Sequence, residues 1–493
     1  MRDCDSNQKS HITRRQFART TAAAGVGALL CGRRFGWARN AAAEKTRYAI
    51  VGVGSRAAMY QDAIHKTFSQ HAELVACCDI NLGRLKLAQE NARAAGRNQP
   101  RIFEARDFDR MLAEARPDVV IVTTIDGFHH EYICRAMELG CDVITEKPMT
   151  VDADKCSQII DTQRRTKRKC TVTFNYRYTP PRTQVKDLLM DGVIGDVLSV
   201  DFHWMLNTIH GADYFRRWHS QKRLSGGLMV HKATHHFDLV NWWLSAIPVT
   251  VQATGKREFY TPQMARRLGL QSHHERCHTC PEKAQCGFEL DLAAVPDLKR
   301  LYLDNEQYDG YFRDRCVFRP DIDIEDTMNV LVVYDNGVTL CYSLNAFNSW
   351  EGYYIIFNGT KGRLEHKIEE QVYISGDGTV QGAIKGDGAY IRIFPLRGPA
   401  YEVGVQEGRG GHGGGDAAML GDIFLPEKQP DKYLRAADQR AGAYSILTGV
   451  AANRCFATGQ PVQIASLVQN IGYPDYPPMP THDGPVPMPK KTR

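Results

Sequence analysis

Two histidines four residues apart, His231 and His235, fall in the stretch GGLMVHKATHHFDLVNWW at residues 226–243. At that spacing both rings occupy one face of a helix. An imidazole titrates at about pH 6.5 and can take the proton of a substrate hydroxyl. The same pair can chelate Zn²⁺ if a carboxylate or a third histidine joins it. His236 is flanked by Phe237, Leu239 and Val240, which points to packing, and Lys232 is read as facing solvent. A second reactive group is Cys277, Cys280 and Cys286 in RCHTCPEKAQCGF, with Cys316 following in DRCVF. A C-x-x-C pair turns both sulfurs inward, and two later thiolates complete a tetrahedron. Structural zinc, an iron–sulfur cluster and two disulfides all stay open, each as a staple for an insert too small to hold its own core.

A third constellation concerns anions. Residues 46–60 read TRYAIVGVGSRAAMY, a short apolar run and then G-x-G-x-x-A at Gly52, Gly54 and Ala57. The first glycine makes a tight turn, the second lets backbone amides approach a dinucleotide pyrophosphate, and the small Ala57 lets helix pack close to strand. The helix N-terminus then faces the phosphates. A second apolar run, 73–78, ends at Asp79, which lies 25 residues beyond Gly54 and is placed to accept hydrogen bonds from an adenosine ribose. Its charge favours NAD, and Arg84 nearby leaves NADP open.

These residues need a scaffold. Strand and helix patterns alternate from residue 47 to about 169, which predicts a parallel sheet with helices on both faces. The strand at 118–123 places Thr123, Thr124 and Asp126 at its C-terminal end, where open α/β sheets bind ligands. The strand at 141–145 delivers Glu146-Lys147-Pro148. From residue 171 the strands lengthen and helices become fewer, and an irregular insert occupies about 256–320. The domains expected are therefore 46–170 and 171–493, after a leader at 1–45.

The segment IVTTIDGFHHEYICRAMELGCDVITEKP resembles the central part of the Gfo/Idh/MocA family of nicotinamide-dependent sugar oxidoreductases, and the resemblance runs from residue 46 through nearly all of the chain. It implies an α/β Rossmann domain plus an α+β domain with an open, mostly antiparallel sheet, helices on one face and a subunit interface on the other. It implies that Lys147 reaches the nicotinamide and the substrate hydroxyl, and that Thr124 and Glu146 join Gly52, Gly54, Ala57 and Asp79 in the cofactor site. TVTFNYRYTP resembles the family's crossing segment, which puts Asn175, Tyr176, Arg177 and Tyr178 near the active site, Arg177 and Tyr178 as substrate contacts. His235 falls on the family's histidine and Asp238 on its aspartate, which makes Lys147 and His235 the catalytic pair. His231 replaces an acidic residue and is read as a substrate contact or metal ligand. A branch of the family resembles the cysteine insert, and the same branch carries the H-G-G-G-D that makes His412 a substrate contact.

The leader holds Thr13-Arg14-Arg15-Gln16-Phe17, an apolar run at 21–30 and Ala41-Ala42-Ala43. That is a twin-arginine export signal, with an apolar core too short to span a bilayer. No other segment approaches a membrane helix, so no stable anchor is expected. A net charge of +6, partly from the leader, gives no sign of a nucleic-acid partner. The expectation is an exported NAD(P)-dependent oxidoreductase of sugar or glycoside CH–OH groups, homo-oligomeric through its second sheet. An NAD-dependent glycosidase or lyase working by transient C3 oxidation and elimination, and a non-catalytic sugar-binding protein, stay open.

Overall fold

β-Branched and small apolar residues in short runs build the first sheet. A computed structural model describes residues 45–271, 273–371, 388–408, 411–481, 484–486 and 488, so the twin-arginine stretch lies outside the described residues. Strands β1 (Thr46–Val51), β2 (Ala72–Asp79), β3 (Arg101–Glu104), β4 (Val119–Val122), β5 (Asp142–Thr145) and β6 (Cys170–Val172) are parallel neighbours in the order β6-β5-β4-β1-β2-β3. Ala49, Ile50, Val120 and Ile121 are fully buried, as expected of strands covered on both faces. The covering helices are α1 (Ala57–Asp62), α2 (Leu82–Ala94), α3 (Phe108–Ala115), α4 (His129–Glu138) and α5 (Ala153–Thr166). The Asn81 side chain starts α2 by accepting from the Arg84 N–H at 3.0 Å.

The second half begins with α6 (Pro180–Met190), and its sheet is mixed. Strands β7 (Val197–Asn207), β8 (Pro248–Lys256), β9 (Thr327–Tyr334), β10 (Thr339–Asn348), β11 (Glu351–Gly359), β12 (Gly362–Gln371), β13 (Tyr390–Pro395) and β14 (Tyr401–Val403) run in the order β14-β13-β12-β11-β7-β10-β9-β8. All of these pairings are antiparallel except β10 with β7. A two-residue strand, β15 (Ala437–Asp438), leaves the second half to pair antiparallel with β6, and β16 (Val462–Gln463) closes the other sheet beside β8. The domain boundary expected at 170 is therefore crossed twice, once by β6 and once by β15.

Between β7 and β8 lie α7 (Thr208–Arg216), α8 (Lys222–Ser225), α9 (Leu228–His231) and α10 (Thr234–Leu244). Every residue of α10 is buried, so its polar side chains, Thr234, His235, His236, Asp238 and Asn241, are enclosed together with its apolar ones. The insert carries α11 (Pro262–Arg267) and α12 (Pro296–Leu301), and the C-terminal part carries α13 (Gly415–Phe424) and α14 (Gln439–Thr458). Helix α14 passes so close to α9 that a Cβ at Gly449 would lie 2.2 Å from the Met229 carbonyl oxygen. That close passage fixes α9, and α9 ends at His231. Among the described residues no helix is long and apolar enough to cross a membrane.

Candidate active site

The turn after β1 is shaped for close approach. Gly52 has φ +84°, and a Cβ there would lie 2.6 Å from the Thr124 nitrogen, while nothing stands within 4 Å of a Cβ at Gly54. The Ala57 side chain is fully buried where α1 begins. Asp79 accepts from the Val53 N–H at 2.6 Å and the Asn81 N–H at 2.8 Å, so the carboxylate is fixed at the end of β2. Burial raises its pKa, and Arg84 and the two amides oppose that rise. Ile80 and Phe128, 63 % and 41 % exposed, turn apolar faces into the same cavity. An open second glycine, a fixed carboxylate and two apolar faces fit a dinucleotide.

This cavity, about 730 Å³, runs from Gly52, Gly54, Asp79 and Thr124 to Lys147, His231 and His235. Strand β5 ends at Thr145 and delivers Glu146, whose Oε1 accepts from Arg56 Nε at 2.7 Å and from the Tyr60 hydroxyl at 2.8 Å. Glu146 thus lines the cavity while tied to α1. Next to it, Lys147 Nζ donates to the His231 carbonyl at 3.2 Å. Burial pushes the lysine down to about 8, against the pull of Asp126 and Glu146. His129, fully buried, bridges the Thr124 and Pro148 carbonyls and locks this corner.

His231 Nδ1 lies 2.5 Å from Asp126 Oδ2. Burial raises the Asp126 carboxyl, with Lys147 and Arg217 opposing, and lowers the His231 imidazole. The His219 ring meets His231 edge to face at 4.2 Å. His235 lies flat against Tyr176, ring centroids 4.0 Å apart. His236 stacks on Trp204 and bonds the Tyr342 hydroxyl at 2.6 Å, the packing role expected of it.

Several expectations need correction. Arg177 and Tyr178 are not among the described residues lining the cavity. Arg177 forks onto Asp238 with bonds of 2.8 and 2.6 Å, each side chain only 1 % exposed, and Tyr178 donates to Asp422 at 2.7 Å. The tight turn Asn175–Tyr178 sends these two into the core and turns Asn175 and Tyr176 toward the cavity. Lys232 does not face solvent: it is buried, lines the cavity, and sets Nζ 4.7 Å over the Trp204 ring. The side chain of His412 lies outside the described residues. Cys277, Cys280, Cys286 and Cys316 do converge on one cavity of about 20 Å³. However, among the described residues no three His, Cys, Asp or Glu side chains are grouped to hold a metal ion, so the zinc expectation is not supported. None of the four is in a disulfide, and burial raises the Cys277 and Cys286 thiols, which favours the neutral form.

The sequence reading missed the wall supplied by α7. His210 and Tyr214 recur there at helical spacing, a signal open to inspection, and both line the cavity together with Arg217 just beyond the helix end. His210 Nδ1 pairs with Glu351 Oε1 at 2.7 Å, and Glu351 comes from β11, far along the chain.

Residues 46–174 match the family model described as "Oxidoreductase family, NAD-binding Rossmann fold", and residues 186–464 match "Oxidoreductase family, C-terminal alpha/beta domain". The chain belongs to the Gfo/Idh/MocA oxidoreductase family. This Gfo/Idh/MocA chain is 35 % identical over 430 residues to YteT of Bacillus subtilis (strain 168), itself named as an oxidoreductase, across 85 % of the chain and 97 % of YteT. It is 30 % identical over 155 residues to the D-glucoside 3-dehydrogenase of Escherichia coli (strain K12), which is 31 % of the chain and 41 % of that enzyme. Its fold is like that of the WlbA dehydrogenase from Bordetella pertussis, solved with NADH and UDP-GlcNAcA, at TM-score 0.56 and 17 % identity over 85 % of this chain and 99 % of that one. Among Gfo/Idh/MocA oxidoreductases the chain thus has both the nucleotide-binding half and the C-terminal half.

Proposed function

We propose that the chain passes hydride between a hydroxyl-bearing carbon of a sugar or glycoside and a nicotinamide dinucleotide. The observation that carries this reading is the single cavity joining the Gly52–Gly54 turn to Lys147, His231 and His235. A nicotinamide dinucleotide held by the Gly52–Gly54 turn and Asp79 would supply the hydride acceptor or donor. Lys147 and His231, which line the same cavity and are joined through the His231 carbonyl, would receive the substrate hydroxyl. Asp126 holds His231 by Nδ1, which leaves Nε2 to take the hydroxyl proton as the carbon is oxidised and to return it in the reverse direction. Lys147, as ammonium, stabilises negative charge on that oxygen. His235, flat on Tyr176, lines the same cavity and is the second candidate to carry that proton. The relation to D-glucoside 3-dehydrogenase supports a sugar as substrate.

The test is label transfer. A sugar carrying deuterium at the reacting carbon is expected to deliver it to the nicotinamide ring, read by mass spectrometry. Release of free sugar from an aryl glycoside with no net reduced nicotinamide would favour the glycosidase reading. Absence of both, with sugar still bound, would favour a binding protein.

Asp126→Asn is expected to lower kcat about a hundredfold with nucleotide affinity unchanged, because an amide no longer supports charge on His231. Steady-state rates and nucleotide titration check this, and an unchanged kcat removes His231 from the proton path.

The signal at Arg14-Arg15 supports export of the folded protein by the twin-arginine route, which cell fractionation of wild type and an Arg14→Lys/Arg15→Lys variant tests. The outer face of the second sheet leaves Leu198 and Leu331 exposed, which supports self-association there. Sedimentation showing monomers alone at high concentration would refute it.

A further inference from the structure

Part of the insert between β8 and β9 lies on the nucleotide end of the first half. The Asn81 side chain donates to the Asn305 carbonyl at 2.9 Å. A Cβ on Gly83 would fall 1.8 Å from Asn305 Oδ1, so α2 and the segment Leu303–Tyr308 touch directly. Arg84 binds Asp309 through Nη2, and the same nitrogen lies 3.7 Å from Asp79 Oδ1. Asp309 and Arg84 side chains are 4 % and 10 % exposed. Tyr302, Asp309, Gly310 and Tyr311 line the same cavity as Gly52, Gly54 and Asp79.

The segment is held from behind. Arg276 forks onto Glu306 at 3.1 and 3.0 Å, and its Nε donates to Asp314 at 3.0 Å. Asp309 Oδ1 accepts from the Tyr311 N–H at 3.2 Å. Asp309 is therefore aimed by its own turn and by an anchored base.

We propose that the insert completes the ribose end of the dinucleotide site, and that Asp309 sets that end for NAD rather than NADP. This rests on a dinucleotide occupying the cleft as proposed above. A guanidinium beside the ribose would ordinarily pair with a 2′-phosphate. Here Arg84 lies between two carboxylates, so the group carries one net negative charge. Ribose hydroxyls can donate to those carboxylates, whereas a phosphate has only acceptors to offer and is repelled.

The experiment compares wild type, Asp309→Asn, Asp309→Ser and Asp309→Glu as full-length protein. Dissociation constants for NAD and NADP are measured by calorimetry on nucleotide-stripped samples. The nucleotide that copurifies is identified by mass spectrometry, and a urea midpoint reports folding of each variant. Wild type is expected to copurify with NAD and to prefer it strongly. Asparagine and serine are expected to cut that preference about tenfold or more, mainly by tighter NADP, and glutamate to keep most of it. Wild type binding NADP as tightly as NAD, or folded neutral variants keeping the wild-type ratio, overturns the role of Asp309 alone. Wild type that binds neither nucleotide overturns this proposal together with the functional reading beneath it.

Discussion

Replacing Lys147 with methionine is expected to lower kcat/KM for sugar oxidation about a thousandfold while nucleotide affinity changes only a few-fold. The side chain extends from the end of β5 into the cavity and donates to the His231 carbonyl at 3.2 Å, so under the proposed function its ammonium would meet the substrate hydroxyl beside His231. Methionine keeps the length and loses the charge. A pH signature separates this from a packing defect. Burial brings the lysine from 10.5 down to about 8, so the charged form dominates at neutral pH and is lost as pH rises through about 8. Wild-type kcat/KM is expected to fall on that alkaline side, and the methionine variant to lack that limb. Steady-state rates across the range decide it. A variant as fast as wild type, or one with the same alkaline fall, removes Lys147 from the chemistry.

The second large effect is on stability. Arg177→Met is expected to destabilise the fold by about 3–5 kcal/mol, because it leaves the Asp238 carboxylate buried with its charge uncompensated. Both side chains are 1 % exposed, and the guanidinium also lies over the rings of Phe174 and Tyr476 at 5.7 and 5.6 Å. Arg177→Met/Asp238→Leu is expected to recover most of the loss, since two apolar groups need no pairing. Urea denaturation of the single and double variants measures both. A single variant as stable as wild type but with a raised KM would return Arg177 to the substrate, where the sequence reading had placed it.

What could be read from residues alone follows from how local each cause is. The turn at Gly52 and Gly54 is written in adjacent residues, because the left-handed backbone and the open space above it belong to the same few positions. The lysine at the end of β5 was legible for the same reason. The turn Asn175–Tyr178 was not: four successive residues of a tight turn have no period that says which pair faces inward. Lys232 misled because a lysine beside a helix face reads as solvated, whereas here Trp204 and Tyr176 from other elements cover it. The His210–Glu351 and Arg84–Asp309 pairs join residues 141 and 225 positions apart, and no local pattern announces such a partner. The four cysteines line one cavity, as their pattern predicts, but spacing along the chain does not say whether the thiols come close enough to share an ion.

The pairing of β15 with β6 has a consequence for biosynthesis. Ala437 and Asp438 cover the margin of the first sheet, and the Asp438 side chain then starts α14 by accepting from the Arg440 and Ala441 N–H groups. A ribosome that has made only the leading third of the chain has therefore produced a sheet whose β6 margin still lacks its closing strand and is open to wrong partners. That margin closes only when nearly nine-tenths of the polypeptide has emerged. Completion of the leading sheet is thus tied to the last stage of translation.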